Sequence, residues 1–454
     1  MIKKLLIILL STFAFSTTTN NSLRLSFQDL KFNNEHLGLL ETSYLFYIDK
    51  FYTGIGVYSA VTGKRGGFFT GGIIGGVKYP VNKFYIDSGI FVGGGGGGHA
   101  PQGSGLMIKV HAGVLVPYKN YDFGLNINHI RFKDGEIDST QVGAIMDYNF
   151  KDVYFFKKPS KLFGKYGIEK ITFSPFILEY FPIDSKTTSG KTQKRFTLLG
   201  AEIDKDYENF FAFLTAAGAF RGESDGYAEY LFGAGKKFKY IKLKAAIGAG
   251  GGGEVDTKGG FIYKIESETN FKTFNLSAGF MNAPGGIKAL FAKASVSKKF
   301  KFITTGNRLL YFKPQKFNFK IYSESYLPSS TIRKDGNSKR LDLINMDLGI
   351  YKKDNLLLFI NTAAAYNGDS GGYAVGMFGA EWDITKNLFI SGALGAAGGG
   401  SVDVGGGLLA KGYIGYKYKY FFASFGRIKA INGRLNTNIF SIGFNFDFYK
   451  GVVK

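Results

Sequence analysis

Apolar and polar residues alternate with a period of two along much of this chain. In the last such run Phe440, Ile442, Phe444, Phe446 and Phe448 share one face, and Ser441, Gly443, Asn445 and Asp447 share the other. Tyr121, Phe123, Leu125 and Ile127 stand opposite Asp122, Gly124, Asn126 and Asn128 in the same manner. Val142, Ala144, Met146, Tyr148 and Phe150 oppose Gln141, Gly143, Asp147 and Asn149, with Ile145 as a single apolar break. Ile241, Leu243, Ala245 and Ile247 oppose Lys242 and Lys244, while Ile414, Tyr416, Tyr418 and Tyr420 oppose Gly415, Lys417 and Lys419. This period predicts β-strands with one apolar face. Runs of about 9–11 residues are long enough to cross a bilayer core when tilted. The opposite face is small or polar, whereas a soluble core would bury branched aliphatics. The apolar face is therefore expected to look outward, and strands exposed to lipid must close into a ring.

A glycine-rich hairpin occurs three times without gaps, at Gly89–Lys109, Ala245–Lys264 and Gly392–Lys411. Gly93, Gly248 and Gly395 coincide, as do Gly98, Gly253 and Gly400, then Gly105, Gly260 and Gly407, then Lys109, Lys264 and Lys411. The spacing defines a repeat of roughly 150 residues. Residues 22–150, 171–299 and 318–448 form the three copies, and 151–170 and 300–317 connect them. Each copy holds about eight strand candidates; in the third they run 318–328, 340–351, 356–366, 372–384, 388–397, 408–420, 421–430 and 435–448. The connecting segments carry Pro159, Gly164, Gly306 and Pro314 and are read as loops, short interfacial helices or extra strand material.

The chain has 454 residues and no cysteine, which excludes disulfides and Cys-based metal sites. Lys3 and Lys4, the apolar run Leu5–Leu10 and the Ala14-Phe15-Ser16 pattern predict a signal peptide over residues 1–16. With 64 glycines and 17% aromatics the composition suits neither a helical nor a disordered chain. An export signal, no cysteine, aromatic and glycine-rich strands and a Phe-rich final strand resemble a Gram-negative outer-membrane β-barrel. One departure is that Phe448-Tyr449 is followed by Lys450-Gly451-Val452-Val453-Lys454, where such barrels often end on an aromatic residue. The resemblance implies an antiparallel transmembrane β-barrel in the bacterial outer membrane, with outer-membrane lipid and lipopolysaccharide as surroundings.

Two assemblies fit an all-β chain of three tandem repeats. About 24 strands close one wide barrel, which the unbroken head-to-tail repetition favours, or each copy closes its own eight-stranded barrel. Glycine in the hairpins is expected to let neighbouring aromatics cover bare backbone or to let the ring bend; the other reading is a constriction lined by backbone. A phosphate-cradling loop is excluded because strands, not a helix, follow these glycines. The formal net charge is +22. Lys109, Lys264, Lys411, Lys242, Lys244, Lys417 and Lys419 are candidate lumen-lining residues that would favour anions. The lysines are scattered and no zinc spacing or nucleic-acid motif is present, so no nucleic-acid partner is expected.

No enzyme and no cofactor is expected. The four histidines, His36, His99, His111 and His129, all lie in the first copy. His129 with Asp122 or Asp134 and Ser139 is the least poor catalytic combination, and alternation does not gather it on one face. Asp256 and Asp403 recur in the hairpins, but Pro101 fills the matching slot of the first copy, which argues against a shared metal site. The leading functional expectation is a passive pore for small solutes or anions. The alternatives are a non-conducting structural or adhesive surface barrel and a secreted soluble repeat protein that binds anionic polymers. Self-association as a homo-oligomer is left open.

Overall fold

The computed structural model describes residues 18–336 and 338–453. The expected signal peptide, 1–16, lies outside them. The described residues form 25 strands joined by turns and loops. The first eight are β1 (Thr18–Phe32), β2 (Glu35–Ile48), β3 (Phe51–Gly63), β4 (Phe69–Val81), β5 (Phe84–Gly96), β6 (Met107–Tyr118), β7 (Tyr121–Phe132) and β8 (Asp138–Val153). Then follow β9 (Phe163–Pro182), β10 (Phe196–Asp206), β11 (Phe210–Arg221), β12 (Ala228–Lys237), β13 (Ile241–Gly251), β14 (Phe261–Phe271), β15 (Phe274–Asn282) and β16 (Lys288–Val296). After β17 (Lys298–Tyr311) come β18 (Lys313–Leu327), β19 (Leu341–Lys353), β20 (Leu356–Asn367), β21 (Ala374–Asp383), β22 (Leu388–Gly398), β23 (Leu408–Tyr418), β24 (Phe421–Ala430) and β25 (Asn436–Val452).

Every ladder is antiparallel, and the ladders do not make one ring of about 24 strands. β8 pairs back to β1, from Thr18↔Val153 to Gln28↔Gly143, so β1–β8 close on themselves. β16 pairs back to β9 from Ala289↔Pro182 to Ser295↔Phe176. β25 pairs with β18 from Lys313↔Val452 to Leu327↔Asn438. Within the larger sheet, β9–β16 and β18–β25 therefore each close eight strands. The physical reason is that eight tilted strands form a ring just wide enough to be filled by their own side chains. Here those inward side chains are present in paired sets, which leaves no drive to open into a wider ring.

β17 is the one strand outside the three rings. It pairs along the free half of β9 (Phe163↔Tyr311 to Phe173↔Lys298) and touches β25 at Phe302↔Val452. The segment 300–317, expected to connect copies, is thus the greater part of β17 and the start of β18. Segment 151–170 holds the end of β8, a short crossing and the start of β9.

The two ends of each ring differ. At one end lie tight turns such as Asp49-Lys50, Asn82-Lys83 and Lys119-Asn120, whose first residues adopt left-handed backbone. The other end carries the long loops, including the three glycine hairpins. Outside, Ile442, Leu125, Ile127, Ile265 and Leu394 are exposed on ring walls. Inside, the long-loop end of each ring is packed with apolar side chains. Leu30, Leu37, Tyr58, Phe68, Met107 and Ile130 fill the first ring, Tyr180, Leu198, Tyr227 and Ile262 the second, and Tyr326, Leu343, Tyr373 and Leu409 the third.

Candidate functional site

Six of the seven lysines singled out in the sequence sit in the lumens or at their rims. Lys109, Lys264 and Lys411 are buried inside the first, second and third rings. Each reaches a glutamate: Lys109 Nζ lies 2.9 Å from Glu41, Lys264 Nζ 2.5 Å from Glu229, and Lys411 Nζ 2.6 Å from Glu324. Each ammonium also lies over a tyrosine ring, Tyr58, Tyr180 and Tyr322 in turn. The lysine holds one repeat position, on the strand after the hairpin, yet its partner comes from β2, β12 or β18. A buried ammonium needs a carboxylate whose side chain reaches it, and in a narrow ring several strands can supply one.

Below these pairs each lumen holds a wider ionic network. In the first ring Arg24 grips Asp147 through Nε (2.7 Å) and Nη2 (3.0 Å), and its Nη1 lies 2.9 Å from Asp87. Lys78 bridges Asp122 (2.5 Å) and Asp147 (2.9 Å), and His111 Nε2 lies 3.0 Å from Asp87. In the second ring Lys244 pairs with Glu202, and Lys293 with Glu266 at 2.6 Å. In the third, Glu381 takes Lys320 and, at 2.5 Å, Lys417. Lys242 lies near the rim of its ring and pairs with Glu268 at 2.5 Å. Lys419 is a correction to the sequence reading. It occupies the tight turn after β23 with φ of 54° and is exposed, because alternation stops where the strand stops.

The least poor catalytic set is not assembled. Asp122 is buried in the lumen against Lys78, whereas His129 is half-exposed beside Thr140 and Asp138. Ser139 instead accepts a hydrogen bond from the Lys31 amide at 3.1 Å. Among the described residues no cluster of His, Asp and Glu is arranged to hold a metal ion.

The glycine hairpins do something the sequence reading did not list. They are where the rings meet. A Cβ on Gly105 would lie 2.6 Å from the Ala365 carbonyl oxygen of the third ring. On Gly260 it would lie 2.3 Å from Ala60 O of the first ring, and on Gly407 2.4 Å from Ala219 O of the second. The three φ values are 95°, 96° and 100°. The second ring thus receives the first ring's third strand against its hairpin, the third receives the second's and the first receives the third's, so the contacts run round a closed cycle. The Gly66 amide donates to Lys258 O at 2.9 Å across the first and second rings. Glycine is required twice over at these positions, by the left-handed backbone and by the carbonyl pressed against it. The recurrence of Gly105, Gly260 and Gly407 was visible in the sequence; its meaning was not, because a repeat does not say whether its copies touch.

At the tight-turn end the rings are joined differently. Phe155, leaving the first ring, exchanges backbone hydrogen bonds with Tyr449 of β25 (2.9 and 2.7 Å). Lys450 Nζ pairs with Asp152 of the first ring (2.6 Å) and with Glu169 on β9. Val153, Phe155, Ile303 and Phe312 bury a small apolar core around this joint. The residues after Tyr449 that depart from the familiar barrel ending are thus the tie between all three repeats.

No family model and no curated protein matches the chain. Among solved structures it resembles the siderophore receptor PirA from Acinetobacter baumannii at 9% identity, covering 96% of this chain and 81% of that one, with a TM-score of 0.27. OccAB3 from Acinetobacter baumannii matches at 10% identity over 96% and 100% of the two chains, with a TM-score of 0.21. A porin from Rhodopseudomonas blastica matches at 8% identity over 95% and 99%, with a TM-score of 0.20. No substrate or partner follows from likeness at this level. What the chain's own ladders and packing establish is its class: an all-β protein of closed antiparallel barrels with apolar outer walls and interiors that are apolar at the long-loop end and ion-paired beyond it.

Proposed function

We propose that this is a bacterial outer-membrane protein whose three barrels are filled and do not conduct, and that it serves as a structural or adhesive surface platform. The supporting observation is the state of the lumens: each is closed by apolar packing at the long-loop end and by paired charges beyond it. An ion entering would have to break pairs that cost several kcal/mol to separate in a dry interior. The apolar outer walls favour a bilayer over the secreted, soluble alternative, since patches of this extent are otherwise avoided. In this class short turns face the periplasm and long loops the exterior. The working surface is then the long-loop end, held rigid by the glycine cycle. Lipopolysaccharide would surround that end, and no catalytic role is assigned to it.

The passive pore is the second reading. It is favoured by a void in the second ring, lined by Glu202, Lys244, Lys264, Glu266 and Lys293, with room for on the order of one water. Planar-bilayer recording separates the two. Purified protein is expected to insert and remain silent; discrete anion-selective steps would overturn the filled-barrel reading. The chain's single tryptophan, Trp382, is exposed on the third ring and tests the membrane itself. Brominated lipid is expected to quench its fluorescence, and no quenching would remove the bilayer from the proposal.

A further inference from the structure

β9 outruns the ring it closes. Its rungs with β10 end at Lys170↔Asp206, where β10 turns back, yet β9 begins at Phe163. Residues 163–169 therefore extend about 20 Å past the last rung on the tight-turn side, at about 3.3 Å per residue. On one flank they pair with β17, from Phe163↔Tyr311 to Glu169↔Phe302. On the other flank, in the lane that β10 has left, no strand follows. Among the described residues no backbone hydrogen bond reaches 163–168 from that side. An antiparallel strand turns its N–H and C=O groups to its two flanks by turns, so every second residue of this stretch presents an unpaired donor and acceptor. The free edge of β17 is different. Its register slips between Thr304 and Arg308, with the extra residues on β17, and such a bulge blunts an edge against pairing. The β9 edge carries no bulge.

Charge selects what can use this edge. Every charged side chain in 153–168 and in 297–315 is basic: Lys157, Lys158, Lys161 and Lys165 in the first segment, and Lys298, Lys299, Lys301, Arg308 and Lys313 in the second. Lys158, Lys161, Lys165, Arg308 and Lys313 are exposed, and among the described residues none of them has a carboxylate within ion-pair distance. The acids that flank the first segment, Asp152 and Glu169, share Lys450, and Glu169 also takes Lys205 at 3.1 Å. Phe163, Lys165, Leu309 and Tyr311 share one face of the ribbon and are exposed, whereas Tyr166 and Phe312 pack into the joint.

A strand laid along β9 would set alternate side chains beside Phe163 and Lys165. A second copy of this chain is disfavoured there, because its own ribbon would bring lysine against lysine. A lipid surface or an acidic glycan answers the charge but not the row of backbone donors and acceptors. An acidic polypeptide answers both. We propose that the β9 edge from Phe163 to Ile168 is a docking site for an extended, acidic segment of a soluble protein, which adds as a strand in the lane below β10. Its carboxylates pair with Lys161 and Lys165, and its apolar side chains rest on Phe163. Placing that partner in the periplasm rests on the membrane reading given above; the free edge and its charge do not.

The test is binding of a short fluorescent peptide, alternating glutamate with valine and threonine, to the full chain in phosphatidylcholine nanodiscs. Saturable binding is expected, with slowed amide exchange in 163–168 and unchanged exchange at the Lys119-Asn120 turn. The same peptide with alternate amides methylated should bind far more weakly, and a peptide with lysine in place of glutamate should not bind. The triple variant Lys161→Gln, Lys165→Gln, Arg308→Gln is expected to weaken binding about tenfold, the sum of three exposed charge contacts. Lys161→Arg, Lys165→Arg should retain it, as should Lys258→Gln at the opposite end. A heat-modifiability gel confirms that each variant keeps closed barrels. Equal binding of the methylated peptide would reduce the site to charge attraction and overturn strand addition. Unchanged affinity in the glutamine variant would overturn the acidic partner. Protection of 163–168 without peptide, together with a doubled mass in sedimentation, would make the occupant a second copy. Protection brought by phosphatidylglycerol in the nanodisc, with no peptide bound, would make it the lipid surface. Either result overturns the proposal. Trp382 left unquenched by brominated lipid while the peptide still binds would sink the membrane reading alone.

Discussion

The two ends of this molecule hold three barrels together by opposite means. At the long-loop end the contact is made three times over, by Gly105 on Ala365, Gly260 on Ala60 and Gly407 on Ala219, with φ values within a few degrees of one another. At the tight-turn end the contact is made once, by β17, Phe155 and Lys450. The first kind is backbone against backbone and follows from the repeat. The second uses residues outside the repeat and cannot be symmetric, because the chain enters the bundle at one ring and leaves at another. Repetition alone can thus bring copies into register, but covalent order demands a junction that breaks it.

The largest effect is expected at the junction. Lys450→Met leaves Asp152 and Glu169 buried beside each other without their shared cation. Removing one partner of a buried pair costs about 3–5 kcal/mol, and the two like charges add to it. Unfolding by denaturant in detergent should show a loss of that size. Expected also is earlier release of the β25 end by hydrogen exchange at Tyr449. A loss below about 1 kcal/mol would mean that the joint is held by its apolar core and backbone bonds instead.

The glycine cycle should respond less at each position but equally at all three. Gly260→Ala meets a left-handed φ and a carbonyl oxygen 2.3 Å away, for an expected cost of about 2–4 kcal/mol. Gly105→Ala and Gly407→Ala should fall within about 0.5 kcal/mol of it. Unequal costs would show that the cycle is symmetric in shape but not in energy. Limited proteolysis should find loosened long loops in these variants while each ring stays closed.

How much of this was legible beforehand follows the same division. Strand positions could be read because alternation is local: the third copy's segment 356–366 is β20, and 388–397 is β22, within a residue or two. The inward lysines could be read for the same reason, and Lys419 fails only because it sits one step past the strand end. Ring closure could not be read. Whether β8 meets β1 or β9 depends on which pairing fills a lumen better, and that sum runs over side chains such as Arg24, Asp87 and Asp147 that are far apart in sequence. The partners of Lys109, Lys264 and Lys411 were hidden likewise, since the glutamate arrives from a different strand in each ring. The tail after Tyr449 read as an anomaly because the partners of Lys450, Asp152 and Glu169, lie in the segment that connects the first two repeats, nearly three hundred residues away in the chain.

The smallest expected effect sharpens the claim that the long-loop end is tied by backbone rather than by charge. Asp369 lies in the loop of the third ring that faces Ser104 of the first, and its amide donates to Ser104 Oγ at 3.4 Å. The Lys339 ammonium, 2.6 Å away, holds its carboxyl below the ordinary range. A lowered carboxylate lends stability that is present above its unfolded value, about 3.9, and is lost as pH falls through the folded value. Both partners are exposed, so water and salt screen the pair, and exposed pairs contribute little. Asp369→Asn should therefore leave the melting transition unchanged within error at neutral pH. Any small difference from the parent chain should vanish in acid and shrink with added salt. The amide at 369 and the Gly105–Ala365 approach remain in that variant, so the first and third rings should stay docked. Undocking by this one substitution would mean that ion pairs, not glycine, fasten the long-loop end.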